Sequence, residues 1–213
     1  MELARALGPN TLLLMEPDEK DEANPYLADF YQDPKRWALT MQVHLLQARY
    51  AQQLQAQWHV INGKGHAVLD RSYFGDTCFA RLQLQMGAMS QREFNTYQRI
   101  YHAMTASVML PTLCIRLLVA PDIAHDRISR RMSAREGRLC ESTIDLKYLV
   151  DLDKQIANMS SILRQQGVSV IDMPWDMDRD TEEQRMFAIR SLAARIAEVE
   201  PLDEFLDLHR RTV

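Results

Sequence analysis

Four short apolar runs set the frame of this chain: residues 11–15 (TLLLM), 66–69 (HAVL), 114–119 (CIRLLV) and 168–173 (VSVIDM). Each is followed by polar or turn residues, the pattern of a buried strand. Continuous apolar runs of this length suit a parallel sheet covered on both faces. Between them lie long stretches of helical character, at residues 35–57, 91–109, 122–132, 146–166 and 181–199, with a short further helix at 202–208. Strands alternating with helices predict an α/β fold with a mostly parallel sheet, here rich in helix. No internal repeat, low-complexity tract or long Gly/Ser/Pro linker interrupts the pattern, so residues 1–213 read as a single domain.

Composition narrows the function classes. Nearly half of the chain is apolar, 46%, which suffices for a real core. The formal net charge is −4, with both signs spread along the chain. That balance argues against a nucleic-acid binder, which usually carries a net basic face. No apolar run is long enough to span a bilayer, and the opening MELARAL is too short and too charged for a secretory signal. Cys78, Cys114 and Cys140 are widely spaced and form no C-x-x-C pair, so neither a zinc site nor a disulfide framework is expected. A reducing cytoplasm is the simplest location.

Ligands of open α/β sheets bind beyond the carboxyl ends of the strands, and charged residues gather there. Glu16-Pro17 follows the first strand and Asp70-Arg71-Ser72 the second. Pro121-Asp122 and an arginine-rich helix follow the third, and Asp172 with the loop 175–180 closes the fourth. The stretch DRISRRMSAREGRLCE holds Arg127, Arg130, Arg131, Arg135 and Arg138. Several guanidiniums on one segment suit the clamping of phosphoryl charge; a solvated basic helix gives the same pattern. Asp70 at a strand end can hold Mg²⁺, usually through water, or the segment is simply a helix start capped by Ser72 or Asp76. Glu16 is placed to accept a proton from a hydroxyl, or is an ordinary strand-end acid. Gln42 and Arg49, seven residues apart on one helix, share a face about 10 Å from each other. A glutamine amide offers a donor and an acceptor side by side, as the edge of a base requires; the alternative is that both side chains point to water.

In order and spacing these residues resemble the deoxynucleoside kinase family, which includes deoxycytidine, deoxyguanosine and deoxyadenosine kinases. The carrying motifs are Glu16-Pro17, Asn24-Pro25-Tyr26-Leu27, Phe30-Tyr31, Pro34-Lys35-Arg36-Trp37, Gln42 with Arg49, Asp70-Arg71-Ser72 with Asp76 and Phe79-Ala80, and the arginines ending in Arg138 and Glu141, before Ile144 and Tyr148-Leu149. The resemblance implies an ATP-dependent kinase acting on a deoxyribonucleoside, with Mg²⁺. In it, Glu16 is the general base for the 5′-hydroxyl, and Arg71 helps to hold that hydroxyl and the phosphate. Tyr31 and Glu141 bind the sugar 3′-hydroxyl, Gln42 binds the base edge, and Asp70 organises Mg²⁺. Arg127, Arg131 and Arg138 are arginines of a lid spanning about 131–141. Trp175, Asp176 and Asp178 fall in the loop that holds the adenine of ATP. The family pattern has fewer residues between Arg131 and Arg138, so Arg135 has no assigned role. Arg49 and Asp76 match the charged pair that deoxycytidine and purine-deoxynucleoside kinases place over the base. Deoxyadenosine, deoxyguanosine or deoxycytidine is therefore expected over thymidine, and a homodimer formed through long helices is implied.

The family opens with a strand and the phosphate loop G-x-x-x-x-G-K-[ST]. No such motif stands before Thr11, and residues 2–7 resemble the helix that follows that loop. The expectation is a P-loop-kinase-like parallel sheet flanked by many helices, with the N-terminal central strand and Walker A loop missing. A gap between the Asp70 and Cys114 strands and impaired catalysis would follow. Two alternatives stay open: a nucleoside monophosphate kinase of the thymidylate type, and a non-catalytic nucleoside-binding or regulatory subunit.

Overall fold

The computed structural model describes residues 1–15, 24–134, 144–176 and 181–198, with backbone alone for 131–134. Glu16, Arg138, Glu141, Asp178, the side chain of Arg131 and the helix expected at 202–208 lie outside the described residues. In chain order the elements are α1 (Glu2–Ala6), β1 (Leu12–Leu14), α2 (Leu27–Gln32), α3 (Pro34–Ile61), β2 (Ala67–Leu69), α4 (Asp76–Gln85), α5 (Gln91–Thr105), β3 (Leu113–Leu118), α6 (Pro121–Ala134), α7 (Leu146–Gln165), β4 (Ser169–Pro174) and α8 (Glu182–Ala197).

Local signals explain the starts of four helices. Asp33 accepts a hydrogen bond from the Arg36 N–H, and Pro34 occupies the first turn of α3, where its missing N–H costs nothing. Ser90 with Glu93 and Thr181 with Gln184 form reciprocal capping boxes on α5 and α8. Asp145 caps α7 through the Tyr148 N–H.

The α5 helix stops at Thr105, short of the expected 109, for a tertiary reason. The Gln57 carboxamide of α3 donates to Ser107 O (3.2 Å) and accepts from Met109 N (2.8 Å). These backbone groups are held by α3 instead of continuing the helix. Gln53 adds a bond to Met109 O at 3.4 Å.

Among the described residues all strand pairing is parallel, as expected, but it forms two separate two-stranded ladders. In one, Leu12, Leu13 and Leu14 face Ala67, Val68 and Leu69. In the other, β3 pairs with β4 from Leu113↔Ser169 to Leu118↔Pro174. The strands β2 and β3, where the gap is expected, are not hydrogen-bonded to each other. Nor is β4 covered on both faces: Ile171 and Met173 are buried while Asp172 and Pro174 are exposed. Asp172 meets Arg164 of α7 at 2.5 Å on that open side. At the entry to β2, Gly65 has φ +123°, and a Cβ there would lie 2.6 Å from the Asn10 carbonyl oxygen. Only glycine lets the chain pass so close to the start of β1.

The main core joins α3 (Ala38, Met41, Leu46) to Tyr73, Phe74, Ala80, Met89, Phe94, Tyr97, Leu163 and Val168. Burying one side chain such as Leu46 contributes about 1.5–3 kcal/mol. A second cluster of Ile171, Met173 and Leu192 takes in Leu3 and Ile115, and so packs α1 and α8 against the β3–β4 ladder.

Candidate active site

The carboxyl end of β2 starts the site. The Asp70 N–H donates to Leu14 O at 2.8 Å, which ties this acid to the end of β1 and leaves its side chain exposed. Arg71 then takes φ 67°, the one positive φ at a non-glycine residue among the described residues. Such backbone costs on the order of 1 kcal/mol and persists where its surroundings dictate it. Those surroundings are clear. Ser72 Oγ accepts from Gly75 N at 3.1 Å, closing a single turn over Tyr73–Gly75. Tyr73 is fully buried, stacks on Tyr101 with centroids 4.7 Å apart, and donates its hydroxyl to Tyr101 O at 2.6 Å. Thr105 Oγ1 lies 3.1 Å from the same hydroxyl. The turn is thereby bolted to α5, and α4 begins at Asp76.

Asp76 is 0% exposed and forms an ion pair with Arg49 of α3, itself 4% exposed. Its second oxygen accepts the hydroxyl of Tyr97 on α5, also 0% exposed. The Phe79 ring centroid lies 5.5 Å from the Arg49 guanidinium and 5.0 Å from that of Arg71, so one aromatic ring touches both arginines. Two turns from Arg49 on α3, Gln42 is 1% exposed, and its Oε1 has no hydrogen-bond partner among the described residues. Gln42 and Arg49 thus point inward, and the water-facing alternative fails. A buried amide oxygen on the same helix face as a fixed charged pair suits a planar ligand whose edge carries donors and acceptors.

Tyr31, at the end of α2, is half-buried with its ring edge-on to Phe30 at 5.3 Å. Tyr148 at the start of α7 is pushed up from 10.0 by burial, an effect the charge of Arg71 partly offsets. Arg127, Trp175 and Asp176 form a second group. The Arg127 guanidinium donates to Trp175 O at 2.7 Å, and Asp176 Oδ1 accepts from Ala120 N at 3.0 Å. The chain leaving β4 is held in this way against the start of α6. Among the described residues no three His, Cys, Asp or Glu side chains converge on one point. Asp70 is the strand-end acid they offer.

Residues 5–194 match the family model described as deoxynucleoside kinase. The chain belongs to the deoxynucleoside kinase family. It is 35% identical to the deoxyadenosine kinase of Dictyostelium discoideum over 150 residues, covering 70% of this chain and 57% of the relative. It is 32% identical to the deoxyguanosine kinase of the same organism, covering 74% of this chain and 54% of the relative. The chain therefore spans a little over half the length of these curated relatives. A solved deoxyadenosine kinase from M. mycoides with bound dATP superimposes with a TM-score of 0.68 at 24% identity, covering 90% of this chain and 89% of that one, which establishes the shared fold.

Within this deoxynucleoside kinase fold, Tyr97 and the double contact of Phe79 escaped the sequence reading. Asp76 and Tyr97 lie 21 positions apart on different helices, and only tertiary packing brings them together. The usable signal was an aromatic residue on the apolar face of a capped amphipathic helix, which ordinarily means core.

Burial at this site gives the kinase-family chain an alkaline limit. Cys78, on α4 beside Asp76, is 3% exposed and is pushed up from 9.0 to about 11 by burial. Tyr73, Tyr97 and Tyr101 are raised from 10.0 by the same cause. The folded state keeps protons that the unfolded chain releases, so stability is complete below pH 9.0 and falls as pH rises toward 11. Cys78 alone accounts for about 2–3 kcal/mol across that window, and the tyrosines add to the loss from pH 10.0 upward, where the unfolded chain begins to release their protons. Melting temperature is expected to be flat to about pH 9 and to drop steadily beyond; an unchanged melt through pH 11 would contradict the burial of these groups.

Proposed function

We propose that the chain is a deoxynucleoside kinase that transfers the γ-phosphate of ATP to the 5′-hydroxyl of a deoxyribonucleoside, with deoxyadenosine, deoxyguanosine or deoxycytidine favoured over thymidine. The observation that carries this reading is Gln42, whose buried Oε1 has no hydrogen-bond partner among the described residues, two turns along α3 from the Arg49–Asp76 pair. A buried acceptor without a donor costs about 1–3 kcal/mol. That cost is recovered when a base edge donates to it. The names of the relatives, deoxyadenosine, deoxyguanosine and deoxyadenosine/deoxycytidine kinases, support the same substrate class.

In this reading Gln42 and the Arg49–Asp76 pair fix the base, while Tyr31 and Glu141 hold the 3′-hydroxyl. Arg71 steadies the 5′-oxygen as Glu16 takes its proton. That oxygen then bonds to the γ-phosphorus as the bond to the ADP oxygen breaks. Arg127, Arg131 and Arg138 balance the charge in transit, and Trp175, Asp176 and Asp178 line the adenine site. Asp70 suits Mg²⁺, which commonly takes one or two carboxylates and otherwise water and phosphate oxygens; when bound it neutralises phosphate charge. A cytoplasmic homodimer completes the proposal. No helix among the described residues is long and apolar enough to cross a membrane.

The substitution Gln42→Leu tests this with effects of opposite sign. It removes an orphaned buried acceptor, so the empty protein is expected to melt at or above the original temperature. Deoxynucleoside affinity, measured by calorimetry, is expected to fall at least about tenfold because the base edge loses its partner. Unchanged affinity, or thymidine as the best-bound nucleoside, would overturn the reading.

A further inference from the structure

We infer that Tyr97 is a positioning residue for base selection, acting through Asp76. The inference rests on the proposed reading of the site as a deoxynucleoside pocket and adds to it a helix, α5, that the site residues do not otherwise include.

Asp76 holds Arg49 with Oδ1 and accepts the Tyr97 hydroxyl with Oδ2, and all three side chains are nearly or wholly inaccessible to solvent. A carboxylate held at one oxygen can rotate about its Cβ–Cγ bond; held at both, by donors on α3 and α5, it cannot. The direction of the Arg49 guanidinium, and so the donors it turns toward a ligand, follows from that fixed plane. Tyr97 is itself held rigidly. Its ring stacks with Phe94 at 6.3 Å, and its helix is anchored by the Ser90–Glu93 box. Its hydroxyl is driven further toward the protonated, donating form by burial and by the charge of Asp76. The hydroxyl therefore keeps its proton, and donates, beyond the ordinary tyrosine value of 10.0.

Tyr97→Phe removes the hydroxyl and keeps the ring. Tyr101→Phe, one turn further along α5, makes the same chemical change at a hydroxyl whose hydrogen-bond partner is Thr105 rather than Asp76, and serves as the control. Binding of deoxyadenosine, deoxyguanosine, deoxycytidine and thymidine to the full chain is measured by calorimetry, alongside melting temperature. With Tyr97→Phe, the best-bound of the first three is expected to weaken about tenfold. Thymidine, which makes least use of the charged pair, is expected to change less than about twofold, and Tyr101→Phe is expected to leave the ratios unchanged. Equal dissociation constants for Tyr97→Phe and the parent chain would overturn the inference, as would a uniform loss that Tyr101→Phe reproduces. A second arm remains if Tyr97→Phe alone does not fold. In an Arg49→Met, Asp76→Ala background the hydroxyl has no carboxylate to orient, so adding Tyr97→Phe should leave all four constants unchanged. A further loss there would mean that Tyr97 acts elsewhere. A parent chain that binds none of the four nucleosides would instead overturn the proposed function itself.

Discussion

Replacing Asp76 by asparagine is expected to lower stability by about 3–5 kcal/mol. Asp76 is completely buried, and asparagine cannot balance the charge of Arg49, which is 4% exposed. Removing one partner of such a pair strands the other ion away from water, a larger penalty than the pair's own net contribution. For a chain of this size the loss corresponds to a melting temperature lower by roughly 6–20 °C. Substituting both members, Arg49→Met with Asp76→Ala, is expected to recover more than half of that loss, because no uncompensated charge remains. Thermal melts of the parent, single and double variants check this ordering. An Asp76→Asn protein that melts within about 2 °C of the parent would mean that the pair is not buried in solution.

Tyr73→Ala is the second substitution of comparable size. The ring is fully buried, packs on Tyr101, Phe74 and Tyr50, and its hydroxyl is tied to Tyr101 O. Truncating a core aromatic to alanine costs about 3–5 kcal/mol, through lost transfer energy and the cavity left behind. Tyr73→Phe keeps the ring and gives up only the hydroxyl, leaving Tyr101 O without that donor, so about 1–2 kcal/mol is expected there. Denaturant unfolding of the two variants separates the contributions. Equal losses would mean that the hydrogen bond, and not the stack, holds the turn after β2.

Much of the architecture was legible because strand and helix signals are local. The four apolar runs became four strands within a residue or so, and Asp145 and Thr181 mark the starts of α7 and α8 as capping rules expect. That Gln42 and Arg49 share one face of α3 was readable from their seven-residue spacing, but that this face points inward was not, because the spacing alone fits a solvated face equally well. What escaped depends on distant partners. The division of the strands into two ladders depends on which strands pair, and no strand's own composition encodes that. The α4 helix was hidden because Asp76 and Ser72 could each be read as a cap, and the structure uses Ser72 for the preceding turn instead. Tyr97 looked like core, and it is core; its hydroxyl acquires a role only because α4 delivers Asp76 to it.

The Gln57 clip has a consequence for how such a chain tolerates change in length. One carboxamide spans from Ser107 O to Met109 N, gripping the connection between α5 and β3 at two backbone atoms. A single residue inserted between them would move one atom out of reach, and a deletion would remove the other. Insertions and deletions at this connection are therefore penalised as they would be inside a helix, although the segment has no regular structure of its own. The connection is spliced to α3 by a side chain, and it can lengthen or shorten only if residue 57 ceases to be glutamine.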